Sequence, residues 1–291
     1  MHNERNGQPT FQAIVLTAVA MLAFAANSLL CRLALQQRGI DPASFASIRL
    51  VSGALTLAVI VRFRAARLSP GHADWLAATM LFAYVAFFSF AYLTLPAGTG
   101  ALILFGAVQL TMLIVGLRSG EMFGPVAWLG LALAVAGLVY LVSPGVAAPP
   151  FLGAALMAIA GVAWGVYSLR GRGVADPLAA TAGNFTRAVP LALLLSLLFV
   201  ANAYADAAGV ALAIASGALT SGIGYVIWYA ALSKLSAMRA ATVQLSVPLI
   251  AAFGGVAFLS EAITPRLVAA SVAILGGIAL VLSNRSQKPR P

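Results

Sequence analysis

The stretch "SGEMFGP" (residues 119–125) has a counterpart in "LSEAITP" (residues 259–265). Each holds a Glu, three residues and then a Pro, and Glu121 and Glu261 lie 140 positions apart in a chain of 291. The offset is close to half the chain. It predicts two related halves, about 1–145 and 146–291, forming one unit. Pro at the first position of a helix wastes no hydrogen bond. The plain reading of the repeat is therefore a helix-boundary marker, with Thr264 a good cap for Pro265 and Gly124 a looser one for Pro125. The functional reading makes Glu121 and Glu261 gate-edge carboxylates that change partners between states.

Composition says what lies between these markers. Hydrophobic residues make up 62% of the chain and charged residues 8%, with mean hydropathy +1.00. A soluble domain carries about 25% charged residues, so the main solvent of this chain is lipid. Ten apolar stretches are each about as long as a membrane-crossing helix. They run Phe11–Arg32, Ala43–Val61, Ala73–Leu95, Ala97–Leu117, Pro125–Val142, Phe151–Leu169, Leu178–Val200, Ala207–Leu232, Ala237–Leu259 and Pro265–Leu282. Alternating ten-residue strands are absent, which excludes a barrel. The predicted fold is an all-α membrane bundle of ten helices. The first stretch is too long for a cleaved signal, and no clear small-residue cleavage site follows it. A single cysteine, Cys31, excludes an internal disulfide.

The net charge of +10 could point to nucleic acid, but its placement does not. With the N-terminus inside, Arg5, Arg62, Arg64, Arg67, Arg118, Arg170, Arg172, Lys234, Arg239, Arg285, Lys288 and Arg290 fall at cytoplasmic ends. Only Arg32, Arg38 and Arg266 fall at the opposite ends, while Arg49 and Arg187 lie within spans. This bias follows the positive-inside rule. It predicts cytoplasmic termini in a plasma membrane, bacterial and inner. Five spans per half is an odd number, so the second half must enter the membrane from the opposite side. An inverted repeat of this kind places a transported substrate near the midplane, between the halves.

Other features share the offset. "AMLAFAANSLL" (20–30) faces "AGVAWGVYSLR" (160–170), with Ala20/Ala160, Ala23/Ala163, Ser28/Ser168 and Leu29/Leu169 identical and Phe24 matched to Trp164. "AGLVYLVS" (136–143) faces "GGIALVLS" (276–283), and, at a slightly different offset, Asp-Pro recurs at Asp41-Pro42 and Asp176-Pro177, just before the second and seventh spans. Five plus five helices, short loops, Glu-x-x-x-Pro before each final helix and Gly-rich final helices resemble the EamA-type drug/metabolite transporter superfamily. "AGVAWGVYS" (160–168) and "YVIWYA" (225–230) resemble its YddG branch of bacterial amino-acid exporters. The resemblance implies a secondary transporter exporting small metabolites, amino acids above all. It also implies a central cavity walled by the first, third, fourth, sixth, eighth and ninth spans.

Polar and aromatic residues recur within those spans at helical spacing. Phe24, Asn27 and Ser28 match Trp164, Tyr167 and Ser168, and Tyr84, Phe88 and Tyr92 share one face. Tyr225, Trp228 and Tyr229 stand in the eighth span, Gln109 in the fourth and Gln244 in the ninth. Trp75 and Trp128, near span ends, read as interface-belt residues. The deeper rings are either helix packing or an aromatic cavity wall. The expected substrate contacts are Asn27, Tyr84, Phe88, Gln109, Trp164, Tyr167, Ser168, Tyr225, Tyr229 and Gln244. The amides and Ser168 would take polar groups and the rings a side chain, with Phe24 and Trp164 facing each other. Arg49 and Arg187 lie about 10–15 Å into their spans. Each either snorkels, or attracts a substrate carboxylate or latches a gate. Pro190 and Pro248 predict kinks, as hinges or as fixed bends. Gly161-x-x-x-Gly165 and Gly116-x-x-x-Gly120 predict close helix contacts.

Several function classes are excluded. His2 and His72 lie outside the spans and no carboxylate lies clearly within one, so neither a protease centre nor a carboxylate proton relay is expected. Phosphate-binding loops are absent, and no cofactor or metal is expected. The expected partners are the bilayer and a small-molecule substrate, with no nucleic acid, in a monomer or homo-oligomer. Alternatives are a drug or organic-cation exporter of the same fold, or a channel or scaffold.

Overall fold

The structure is a computed structural model, and it describes residues 11–64, 74–120, 124–171, 174–235 and 237–283. Glu121, His2, His72 and six of the basic residues (Arg5, Arg67, Arg172, Arg285, Lys288 and Arg290) lie outside the described residues. The described residues form helices joined by short turns and loops, with one isolated bridge between Ile40 and Ala205. Among the described residues, twelve α-helices follow in order. They are α1 (Phe11–Gln36), α2 (Pro42–Phe63), α3 (Trp75–Ala91), α4 (Ala97–Arg118), α5 (Pro125–Val142), α6 (Phe151–Arg170) and α7 (Pro177–Leu198), then α8 (Ala207–Ala215), α9 (Gly224–Leu232), α10 (Ala237–Gln244), α11 (Ser246–Leu259) and α12 (Pro265–Ser283). Among the described residues, nine helical stretches are long and apolar enough to cross a membrane, and α3 is a shorter tenth of 17 residues.

The helix starts follow cap chemistry. Asp41 accepts from the Ala43 and Ser44 amides, Asp74 from Leu76, Asp176 from Ala179 and Asp206 from Gly209. Each carboxylate thus sits on the positive end of a helix dipole. Thr264 Oγ1 caps α12 by accepting from the Leu267 amide at 3.1 Å, while Gly124 offers α5 no side-chain cap. Trp75 and Trp128 are 61% and 52% exposed near span ends, as a belt position requires.

The eighth and ninth spans depart from regular helix. Between α8 and α9 runs a π segment, Ser216–Ile223. The Thr220 hydroxyl donates to the Ser216 carbonyl at 2.7 Å, taking an acceptor that the α ladder would use. Gly217 lies against α2 here, where a Cβ would come within 2.2 Å of the Arg49 carbonyl oxygen. In the ninth span the expected kink at Pro248 is a break. α10 ends at Gln244, and Pro248 stands in the first turn of α11, where its missing N–H costs nothing. Pro190 sits within α7, which runs on past it.

Small residues set the helix spacing. At Gly161 and Gly165 a Cβ would press on Leu104 O and Ala107, and on Thr111 and Val108 O, so α6 lies directly on α4. The other expected contact pattern is corrected. Gly120 lies beyond the end of α4 at φ +81° with nothing near it, so it is a helix-terminating glycine. α5 and α12 meet backbone to backbone, with a Cβ on Gly277 reaching within 2.5 Å of the Gly130 carbonyl oxygen.

Neighbouring glycines of α12 supply a matched test of this packing. Gly277→Ala should destabilise the protein by about 1–3 kcal/mol, because backbone atoms must move. Gly276→Ala, with nothing within 4 Å of its Cβ, should be neutral or slightly stabilising. Thermal unfolding of the detergent-solubilised variants reads the difference.

Candidate functional site

The spans enclose a cavity of about 1680 Å³. Its inner wall carries Gln109 of α4, Trp164, Tyr167 and Ser168 of α6, Tyr225, Trp228 and Tyr229 of α9, and Gln244 at the end of α10. α2 and α7 also contribute, through Ile60 and Phe63 and through Thr181 and Asn184. The mouth is charged. Arg64 donates to Asp176 at 3.1 Å, and Arg170 pairs with Asp74. The Leu76 amide, with Arg170 beside it, holds the Asp74 carboxyl below its ordinary range. A depressed carboxyl loses its partner only as pH falls through that lowered value, so this pair persists at neutral pH and above.

Three rings form the wall at the deep end. Trp164 meets Tyr84 at 4.9 Å between centroids and stacks on Tyr225 at 5.5 Å with a 21° interplanar angle. Phe24 does not stack directly on its counterpart in the way the sequence repeat suggested. Tyr225 joins the two, lying 6.0 Å from Phe24. Beyond these rings is a second, small pocket of about 20 Å³, lined by Asn27, Ser28, Tyr84, Phe88, Thr220, Ser221 and again Trp164, Tyr225 and Gln244. Seven of the ten expected contacts therefore line the large cavity. Asn27, Tyr84 and Phe88 line only the small one.

Hydrogen bonds fix these groups. Asn27 Nδ2 donates to Tyr84 Oη at 3.2 Å, while its Oδ1 accepts from Ser216 at 2.6 Å and lies 3.3 Å from the Thr220 hydroxyl, whose hydrogen goes to the Ser216 carbonyl. Thr181 Oγ1 bonds Tyr229 Oη at 2.8 Å and accepts from Tyr167 Oη at 3.4 Å. Ser168 Oγ donates back to the Trp164 carbonyl of its own helix at 2.7 Å. Gln109 is buried, and its Nε2 has no partner.

The two spanning arginines behave differently. Arg187 is half-buried and bonds the Gly183 carbonyl of its own helix at 3.3 Å, away from both pockets. Arg49 does not snorkel: it is 1% exposed, donates from Nε to Ser221 at 3.3 Å and from Nη2 to Tyr84 at 3.0 Å, and lies over the Tyr84 and Phe88 rings.

The end of the bundle opposite the mouth is sealed. Arg32 of α1 donates from Nε to Glu261 Oε1 at 3.1 Å and from Nη1 to the Tyr92 carbonyl at 3.0 Å. Glu261 Oε2 also accepts from the Ala97 amide at 2.7 Å. Glu261, the loop before α12, α1 and the α3–α4 turn are thus tied by one carboxylate. Sequence reasoning did not assign this partnership, nor Thr181, Asn184, Ser216, Thr220 and Ser221. The signal for the last three was present in "SGALTSG" (216–222), a small and polar run in the middle of a span.

Neutralising Glu261 leaves a part-buried guanidinium without its ion pair, at a cost of about 1–3 kcal/mol to the seal. A single cysteine at Gln244, in a Cys31→Ser background, should react with an impermeant maleimide from the mouth side only. Adding Glu261→Gln should open labelling from the Arg32 side. Unchanged labelling would show that the seal does not depend on this pair.

Residues 151–283 match the EamA-like transporter family. The chain is 53% identical over 277 residues to the Pseudomonas aeruginosa protein PA1977, covering 95% of this chain and 96% of that one. A crystal structure of a protein 21% identical superposes with a TM-score of 0.66 over 94% of this chain and 99% of the other, which shows the shared fold. Residues 151–283 thus carry an EamA-like transporter domain, within a chain whose described residues form a multi-pass membrane bundle around a cavity.

Proposed function

We propose that the protein exports amino acids across the bacterial inner membrane by alternating access, as the YddG-type exporters it resembles in sequence do. The observation that carries this reading is the large aromatic-walled cavity, open at the Arg64–Asp74–Arg170–Asp176 end and shut at the Arg32–Glu261 end. A path open at one end and latched at the other suits a carrier and not a channel. The basic end is cytoplasmic in this reading, so the conformation faces inward and both termini are inside.

The two-halves reading, 1–145 and 146–291, has support in the helix pairings. α3 packs on α6 as α9 packs on α1, and α4 on α6 as α11 on α1. α2–α7, α4–α11 and α5–α12 are the pairs that exchange places within themselves. Two halves related in this way can exchange conformations, which alternates the open end. In the opposite conformation Glu261 and Arg32 part. Glu121 occupies the matching boundary of the first half and would supply the corresponding gate edge.

The substrate's side chain lies among Trp164, Tyr167, Tyr225 and Tyr229, with Gln109 and Gln244 taking polar groups. A ring face attracts an ammonium group by about 0.5–2 kcal/mol. Trp164→Ala should therefore weaken binding by up to about thirtyfold, measured as radiolabelled amino-acid flux from proteoliposomes at subsaturating substrate. Trp128→Ala, on the exposed face, should change little. Equal flux through the Trp164→Ala variant and the parent would reduce Trp164 to packing.

All Asp carboxylates of the described residues cap helix ends, and Glu261 sits at the seal. With no acidic proton carrier at depth, flux should run down the amino-acid gradient alone. A protonophore that abolished efflux from liposomes loaded only with substrate would contradict this.

A further inference from the structure

Arg49 heads the large, fully buried side chains among the described residues. A guanidinium stays protonated in proteins, so it brings a fixed positive charge into the bundle. Charges inside a membrane protein pair with one another, or mark a path for a substrate or ion. Among the described residues no carboxylate pairs with Arg49. Asp41, Asp74, Asp176 and Asp206 cap helices, and Glu261 holds Arg32. The partners Arg49 has are neutral, Ser221 and Tyr84, and its Nη1 has none.

The surrounding hydrogen bonds sharpen the imbalance. Tyr84 Oη already accepts twice, from Asn27 and from Arg49, which leaves its own hydrogen to be donated. Asn27 Oδ1 is taken by the Ser216 hydroxyl at 2.6 Å. On the wall of the adjoining large cavity, Gln109 Nε2 likewise has no acceptor. The cluster is rich in donors and short of acceptors. The small pocket bordered by Tyr84, Ser221, Asn27 and Phe88 measures about 20 Å³, room for one water-sized group. It shares Trp164, Tyr225 and Gln244 with the large cavity, so the two spaces adjoin across these side chains.

We propose that this small pocket is the carboxylate subsite of the transporter: a substrate carboxylate oxygen enters it, accepts the Tyr84 hydroxyl hydrogen, and balances the charge of Arg49 behind it. The proposal rests on the cavity being a carrier's substrate site, and it narrows the substrate class to molecules bearing a carboxylate. Arg49 acts as a positioning and charge-supplying residue, since Tyr84 and Ser221 form the wall in front of it. A cationic drug is disfavoured, because it would meet a buried positive charge with no anion to offset it.

The wild-type protein in detergent tests this with four probes at neutral pH, using thermal stabilisation to read affinity. L-Phenylalanine and 3-phenylpropionate carry the carboxylate, while L-phenylalaninamide and phenethylamine lack it. Hydrogen bonds to a charged group are each worth a factor of about ten or more. The two carboxylates should therefore bind at least about tenfold more tightly than the two amines. Arg49→Gln and Tyr84→Phe should erase that preference, and Arg49→Lys, which keeps the charge, should retain part of it. Because the probe comparison is made on the wild type, it stands even where a variant fails to fold. Equal or tighter binding of phenethylamine would overturn the proposal, as would chloride protecting the protein as well as 3-phenylpropionate does. Selective binding of 3-phenylpropionate with no L-phenylalanine flux in proteoliposomes would support the subsite and defeat the amino-acid reading.

Discussion

Lipid gives one apolar helix no preference for another over its own solvent. Association therefore depends on how closely backbones approach, and small residues govern that. The rest of this structure follows from the approach. Gly130 and Gly277 bring α5 onto α12, Gly161 and Gly165 bring α6 onto α4, and Gly217 brings the π segment onto α2. Large residues at those places would push the helices apart and flood the interior with lipid. The bulky rings of Trp164, Tyr225 and Tyr229 line the cavity that these close contacts leave between the helices.

The same solvent sets the rule for polar groups. Within hydrocarbon an unpaired donor or acceptor costs several kcal/mol. The chain answers at helix ends with carboxylates and at depth with neutral hydroxyls and amides. Asp41, Asp74, Asp176 and Asp206 all face helix N-termini. Asn27 gathers Ser216, Thr220 and Tyr84, and Thr181 joins Tyr167 to Tyr229. This division leaves the interior almost free of charge. Arg49 stands out against that background, and a single cation has a long reach in so apolar a setting.

Much of this was legible in the sequence, and the limits are physical. Span length follows from bilayer thickness, so the ends of most helices came within a few residues of expectation. Helical spacing tells which residues share a face, so Trp164 with Tyr167 and Tyr225 with Tyr229 were readable as groups. Spacing does not name what the face meets. Arg32 and Glu261 lie 229 positions apart, and nothing local announces their pairing. Arg49 looked able to snorkel because depth along a helix says nothing of which side is lipid. Gly116 and Gly120 matched a contact pattern, but α4 ends at Arg118, so the second glycine terminates a helix instead. The break at Pro248 was foreseeable as a disturbance. The π turn depends on how Thr220 and the backbone compete for one carbonyl, a balance that composition alone does not reveal.

That π turn has a consequence for how the family can vary. A π turn holds more residues than an α turn over the same arc, so the segment 216–223 behaves like an α-helix with a surplus residue. Each α residue advances the helix by about 100°. Deleting one residue there would let the ladder relax to α form and swing everything after it by about that angle. Tyr225, Trp228 and Tyr229 would leave the cavity together, although none of them had been altered. Insertions and deletions in this short run are thus a coarse dial on the whole wall, whereas substitutions tune it one ring at a time. A lineage could exchange one set of wall side chains for the neighbouring face of the same helix in a single genetic event.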